Sequence, residues 1–460
     1  MTTTPELPLS LAGLRGCCEV HLPGDPTYDD ARRPWNVAID QRPAAVAVPR
    51  SVAEVVAVVS TAAALGLRVA PQTTGHAAAA LAEQALDDAV LLRLSALAGV
   101  TVDPVARTAR VLGGTVWASV VEACAPHGLT ALHGSAGDVG VAGYLLGGGI
   151  SFYGRRHGVA ANSVRSIDLV TADGRLLRAS AEENSDLFWA LRGGGGSYGV
   201  VVAVEIGLLP YPDVVAGMLL WDRDRAAEVV AAWVEWTRTA PESATTTLRI
   251  MSFPPLPDLP PFLSGRDLVV IDGAVLEDDA TAVDVLARLR ALEPEIDTFG
   301  RIPAAGLLAV HMDPPGPTPA VTDHSCLGPL DDTAVATLLG RVGPGTESGL
   351  LFTELRHLGG AFGRGRQGAG VLATVPGEFA LHCVAIAPTP QAAVAGKSSA
   401  FSVIRALSPW SVSQQIPTFT DAAVDAARLY PAVDLERLRG VRRALDPAGR
   451  VVAHQSLAVR

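Results

Sequence analysis

Seven glycines occupy the sixteen positions of Gly134-Ser135-Ala136-Gly137-Asp138-Val139-Gly140-Val141-Ala142-Gly143-Tyr144-Leu145-Leu146-Gly147-Gly148-Gly149. Glycine loses backbone entropy inside a helix or strand, so this density predicts neither. It suits a chain that brings its amides against something flat or anionic, where any β-carbon would collide. A phosphate-bearing cofactor fits that requirement.

At 460 residues the chain is too long for one core, and two or three domains are expected. A hydrophobic fraction of 49% with 18% charged residues describes a globular protein, not a disordered one. A net charge of -11 and a pI near 5.4 argue against nucleic acid as a partner. The five cysteines (Cys17, Cys18, Cys124, Cys326, Cys383) are odd in number and lack metal-ligand spacing. They read as reduced thiols of a cytoplasmic protein. His311, His324 and His357 are scattered, so no metal is expected. Met1 to Ser10 shows no leader pattern, and no apolar run approaches a membrane span, so no membrane partner is expected. Oligomeric state is not legible.

Ala45–Val48 reads as a short strand ending at Pro49. Ser51, with Glu54 three residues on, forms a capping box for an amphipathic helix over Ser51–Leu65. Gly66 stops that helix, and Leu67–Ala70 returns as a buried strand. This βαβ unit leads into Pro71-Gln72-Thr73-Thr74-Gly75-His76, a polar turn where ligands of α/β sheets sit. Val90–Leu94 and Thr108–Leu112 are further strands, and Val116–Ala125 a second helix. Ser166–Thr171 and Leu176–Ala179 pair through Ala172-Asp173-Gly174-Arg175 as a hairpin. Asn184–Arg192 is a helical turn running into Gly193–Gly196, and Val200–Ile206 is a β-branched strand.

Composition shifts near Pro210-Tyr211-Pro212. Beyond it, helices Asp224–Arg238 and Ala280–Leu292 alternate with strands Thr246–Met251, Leu268–Val275, Gly349–Glu354 and Glu378–Ile386. That mixture predicts an antiparallel sheet with helices on one face. Trp233 and Trp236, one helical turn apart, are expected to pack their helix on the sheet. The last segment, Asp434–Ala453, reads as a short helix plus a terminal strand.

Taken together, these segments resemble the flavoprotein oxidases of the vanillyl-alcohol-oxidase type, with their PCMH-type FAD-binding domain. Within that group they are most similar to the berberine-bridge-enzyme-like branch. The turn ending in Thr74-Gly75-His76 resembles the family's flavin-attachment turn, and the glycine run its pyrophosphate loop. Asp186-Leu187-Phe188-Trp189-Ala190-Leu191-Arg192-Gly193-Gly194-Gly195-Gly196-Ser197-Tyr198-Gly199-Val200-Val201 is nearly the signature of that branch. Glu354–Ala361 resembles its substrate-domain strand, and Leu435–Arg439 with Asp446-Pro447 its C-terminal segment.

The resemblance implies an α+β chain in three stretches. Residues 1–210 would form a two-subdomain FAD-binding domain. Residues 211–411 would form a central substrate domain, an antiparallel sheet covered by helices. Residues 412–460 would return to the FAD domain. FAD is the implied cofactor. His76 stands where the family's histidine bonds the flavin, although Gln72-Thr73-Thr74 replaces the usual preceding residues; the alternative is a turn histidine that only hydrogen-bonds. Ala136 stands where bicovalent members carry cysteine, so no cysteinyl link is expected. The flavin-contacting set comprises Thr73, Thr74, Gly75, His76 and Ala77 on the turn, then Gly137, Asp138, Val139, Gly140, Gly143, Gly147 and Gly148 on the run. His157, Val200 and Val201 complete it; for each, a plain turn or core role is the competing reading.

The proton acceptor has no obvious holder. Where relatives place a tyrosine and an asparagine, this chain has Ile416-Pro417-Thr418-Phe419. Tyr144, His454 and Tyr430 are the substitutes, each competing with a packing role. The implied activity is that of an FAD-dependent oxidase. It would take hydride from a C–H next to a hydroxyl or amine of a small-molecule secondary metabolite, with dioxygen as acceptor. A non-redox cyclase or eliminase holding FAD structurally, or a flavin-binding protein without catalysis, stays open beside it.

Overall fold

In a computed structural model, the protein is described over residues 10–457 apart from 256, 258 and 315. The N-terminal stretch read above for a leader lies outside the described residues except for Ser10. The fold is mixed α and β, arranged on three sheets.

The first sheet has four strands: Glu19–His21, Ala45–Val48, Ala89–Arg93 and Arg68–Gln72, in that spatial order. The last three run parallel, as a βαβ connection requires. Helix Val52–Ala64 makes the crossover. Its Ser51 cap accepts from the Glu54 amide, and the Glu54 carboxylate reaches back to the Arg50 amide at 2.7 Å. Val55, Val58, Val59 and Ala62 form its buried face.

The second sheet is antiparallel, in the order Val100–Asp103, Thr108–Leu112, Val200–Gly207, Val164–Val170 and Leu176–Ser180. The third is the large one. Strands Asp213–Asp222, Asp267–Val275, Ala244–Ser252, Phe352–His357, Phe379–Ile386 and Ala320–Leu327 lie side by side, all antiparallel. Helices Ala226–Thr237, Asp279–Arg290, Asp332–Val342 and Pro390–Ala406 share one apolar core with it. Trp233 is fully buried there and donates to Thr246 Oγ1 at 3.0 Å, whereas Trp236 reaches the Val285 carbonyl of the neighbouring helix.

Two expectations need correcting. The glycine run is not free of helix: Val141–Leu146 is helical, because Val141, Ala142, Tyr144 and Leu145 are buried and only Gly143 weakens its interior. The terminal strand reduces to a single parallel bridge, Val69 to Val451. It nonetheless brings the chain end against Arg68–Gln72. Helix Ala432–Leu445 joins the core that also holds Leu187 and Leu191, placing Leu435 and Leu438 beside them. Among the described residues no helix is long and apolar enough to cross a membrane.

Candidate functional site

Strand Arg68–Gln72 delivers its carboxyl end into the turn that carries Thr73 to Ala77. A cavity of about 1220 Å³, its open mouth included, lies between this turn and the glycine run. Thr73, Thr74, Gly75, His76 and Ala77 line one wall; Val139, Gly140, Gly143 and Gly147 line another. Gly195, Gly196 and Val201 close the floor, and Ala453, His454 and Gln455 arrive from the chain end.

The glycines here do two different jobs. A β-carbon at Gly140 would press on Thr73 at 2.8 Å, and one at Gly75 on Pro34 at 2.7 Å, so neighbours leave them no room. A β-carbon at Gly143 or Gly195 would meet no protein atom within 4 Å. Those two present bare backbone to the cavity. Ala142 and Gly143 are also first-turn helix residues, whose amides have no carbonyl within the helix to bond.

His76 is held on three sides. Its ring stacks on Trp35, with centroids 4.1 Å apart and 18° between planes. Its Nδ1 lies 2.8 Å from Thr74 Oγ1, and its Nε2 3.5 Å from Asp138 Oδ1. Asp138 also accepts from Trp35 Nε1 at 2.6 Å. Burial pushes the Asp138 carboxyl up, but the donors on His76 and Trp35 outweigh it and hold it below its ordinary range. The Nε2 of His76 is buried, with the Asp138 carboxylate at 3.5 Å as its polar neighbour. A ring so fixed at a cavity wall, with Nε2 held only by the long contact to Asp138, can bind or bond a ligand.

Five of the sequence-predicted contacts fall elsewhere. Asp138 turns its side chain to His76 and Trp35, away from the cavity. Gly137 packs against Ala118 and accepts from its amide. Gly148 stands over Leu372, where a β-carbon would come within 2.3 Å. His157 lies outside the cavity, its Nε2 3.0 Å from the Tyr211 hydroxyl. Val200 enters the core with Val59 and Val170, while its strand neighbour Val201 faces the cavity, as alternation demands.

The three candidate proton acceptors all reach the cavity wall and differ in readiness. Tyr430 donates to the Gly193 carbonyl at 2.9 Å, and burial pushes its phenol up. Tyr144 has no hydrogen-bond partner, packs edge-on against Trp117, and is likewise pushed up by burial. His454 Nε2 lies 2.7 Å from the Thr420 carbonyl, so that nitrogen carries the proton and Nδ1 keeps a lone pair. Burial lowers its pKa, outweighing the Thr420 bond, so the ring stays neutral near pH 7. His454 alone of the three offers a basic nitrogen lone pair in its resting form. Thr418 clamps the glycine run, donating to the Gly147 carbonyl at 2.7 Å and accepting from the Gly149 amide at 3.0 Å.

Residue-by-residue reading missed Trp35, Thr418 and Gln455, because none stands in a glycine-bearing segment. It also missed a buried ion network on the large sheet. His311 places Nδ1 3.0 Å from Asp272 and Nε2 3.2 Å from Glu354, while Arg249 pairs with Asp272 and Arg356 with Glu354. Burial and Arg249 depress His311, but the carboxylates of Asp272 and Asp313 outweigh them and raise it to about 9. Among the described residues no cluster suits a metal ion.

A set of bare amides, a fixed histidine and an unpartnered phenol fits a flat, phosphate-bearing group. Comparison with known proteins agrees. Residues 43–180 match the family model described as FAD binding domain. The chain is 32% identical over 222 residues to (R)-6-hydroxynicotine oxidase of Paenarthrobacter nicotinovorans, covering 48% of this chain and 47% of that protein. It is 34% identical over 204 residues to xylooligosaccharide oxidase of Thermothelomyces thermophilus, covering 44% and 41%. These matches span about half the length of those relatives. Among solved structures, Physcomitrella patens BBE-like 1 superposes with a TM-score of 0.83 at 18% identity, over 97% of this chain and 99% of that one. The structure of 6-hydroxy-D-nicotine oxidase from Arthrobacter nicotinovorans gives 0.80 at 21%, over 94% and 96%.

Proposed function

We propose that this chain, which matches an FAD binding domain over residues 43–180 and shares the fold of BBE-like 1, is an FAD-dependent oxidase of a small hydroxylated or amine-bearing metabolite. The observation that carries this is the pairing of bare backbone at Gly143 and Gly195 with the fixed imidazole of His76 on one cavity. Bound FAD would supply hydride acceptance from carbon and its passage to dioxygen.

The chain's own residues do the rest. The amides around Gly140 and Gly143 would hold the pyrophosphate, and Val201 and Gly147 line the same cavity. His76 would attach the flavin, with Asp138 beside its Nε2 and Trp35 fixing its plane. His454 takes the substrate's O–H or N–H proton on Nδ1 while its Nε2–H goes on donating to the Thr420 carbonyl. Tyr144 holds a substrate oxygen through its free hydroxyl, and Tyr430 braces the Gly193 turn.

We assign residues 1–210 and 412–460 to the FAD unit and 211–411 to the substrate unit, with Val451 beside Val69 tying the end to the start. The names of relatives, oxidases of a nicotine derivative and of an oligosaccharide, support a small-molecule substrate and dioxygen as acceptor. Five free cysteines suit a reducing, cytoplasmic setting. Anaerobic addition of hydroxylated and amine candidates, followed by air, tests the reading. Bleaching of the flavin band with return and peroxide on aeration is expected; a band no substrate changes overturns it.

A further inference from the structure

A second cavity lies between the FAD-type unit and the loop Arg366–Ala369, away from the wall that carries His76. It encloses about 1150 Å³ with its open mouth and is lined mainly by polar side chains, Arg165, Arg192 and Arg366 among them. Among the described residues no carboxylate forms an ion pair with any of these three arginines. Two of them are exposed, but Arg192 is only 6% exposed.

A buried guanidinium without a counter-ion is costly, and proteins seldom keep one without use for its charge. Here it is also fixed. Arg192 Nε donates to the Phe188 carbonyl at 3.2 Å, and its guanidinium lies 3.9 Å above the Phe188 ring. Those contacts leave its terminal nitrogens uncommitted. Burial alone lowers Arg192 to about 10, with no acid beside it to offset the loss. The fourth arginine, Arg178, is spent on Glu205 at 3.1 Å and Asp168 at 3.3 Å.

Three arginines without an ion pair, on separate elements, therefore line one polar cavity: strand Val164–Val170, the end of helix Ser185–Leu191, and the 366–369 loop. A carboxylate offers two oxygens and one charge. A phosphate monoester offers three oxygens and close to two charges, matching three forks better. The cavity is far larger than one phosphate; Ser166 is spent on Glu205, Ser180 on Glu182, and Asn162 on Leu372 and Gly370, so the remaining oxygens of Glu182 and Glu205 are the lining groups that can accept from hydroxyls of an ester's organic part. We propose that this cavity binds the phosphate ester of a small hydroxylated molecule, gripped by Arg165, Arg192 and Arg366. It lies behind the Arg192 to Gly196 turn, whose Gly195 and Gly196 face the first cavity, so its occupant would brace that turn.

Titration calorimetry of the purified chain with glycerol 3-phosphate, inorganic phosphate and glycerol tests this. Saturable binding of the ester, none of glycerol, and about tenfold or greater weakening in Arg192→Met are expected. Arg366→Ala, at an exposed position that the fold does not need, is expected to weaken binding about three- to tenfold and to keep the Tm. Phosphate binding as tightly as the ester supports the oxyanion grip and names free phosphate as its source. No saturable binding of either anion overturns the proposal. So does ester binding unchanged by Arg366→Ala and Arg165→Ala, which decides the matter even if Arg192→Met fails to fold.

Discussion

Replacing Gly143 by alanine separates the demands of the fold from those of the cofactor. Gly143 lies inside helix Val141–Leu146 and has no protein atom within 4 Å of the place its β-carbon would take. Alanine is favoured over glycine in a helix interior by about 0.8–1.0 kcal/mol, less near an end. The flavin-free protein is therefore expected to gain about 0.5–1 kcal/mol, read as a Tm increase of about 1–2 °C. In the same protein the new methyl enters the space assigned to the cofactor. Overpacking a close contact costs about 1–3 kcal/mol, so FAD should bind about 5- to 150-fold more weakly. Flavin fluorescence quenching on titration into apoprotein measures the second effect, and thermal unfolding the first. Gly140→Ala provides the contrast: its β-carbon would strike Thr73 at 2.8 Å, so the apoprotein itself should lose stability. If Gly143→Ala bound FAD as tightly as the parent, the bare-backbone account of this wall would be refuted.

The remaining expectations concern single side chains. His76→Ala should send the yellow colour into the supernatant on acid precipitation, whereas the parent keeps it in the pellet; colour free in both would remove the covalent link. His454→Gln should lower kcat by about 10²–10⁴-fold and flatten the acidic limb of the kcat/KM profile, since a neutral ring is the proposed acceptor. Tyr430→Phe should cost about 1–3 kcal/mol of stability by orphaning the Gly193 carbonyl, with a far smaller effect on kcat than His454→Gln. His311, raised from 6.5 to about 9, contributes stability that is complete below pH 6.5 and lost as pH rises through about 9. The loss should be on the order of 3 kcal/mol and absent in His311→Gln. Its partners Asp272 and Glu354 are held down against burial, chiefly by Arg249 and Arg356, so their contribution fades as pH falls below the usual carboxylate range. Urea midpoints across pH check both limbs.

Local signals in the sequence served well where local chemistry decides structure. The Ser51 cap, the apolar spacing after it and the stop at Gly66 delimit helix Val52–Ala64 to within a residue or two. The turn after Thr171 pairs the strands as read, with Gly174 at φ +82°. Helix in the glycine run was not legible, because burial of Val141, Tyr144 and Leu145 overrides glycine's propensity. Helix Pro390–Ala406 went unread behind its serines and Gly396, where a β-carbon would come within 2.6 Å of Ala385 on the sheet below. Of the cavity, the turn and glycine run were visible as segments. The stacking of Trp35 on His76 was not, since it depends on a fold that returns 41 residues earlier in the chain to the same turn. The ion network around His311 hides for the same reason: strands from 249, 272 and 354 assemble it only in three dimensions.

A crystal structure of the yellow, purified protein measures the central claim directly. The account predicts a dinucleotide between Thr73–Ala77 and Val139–Gly147, its pyrophosphate on main-chain amides and its ring against His76. Flavin density anywhere else, or a colourless protein that takes up no FAD, would contradict it.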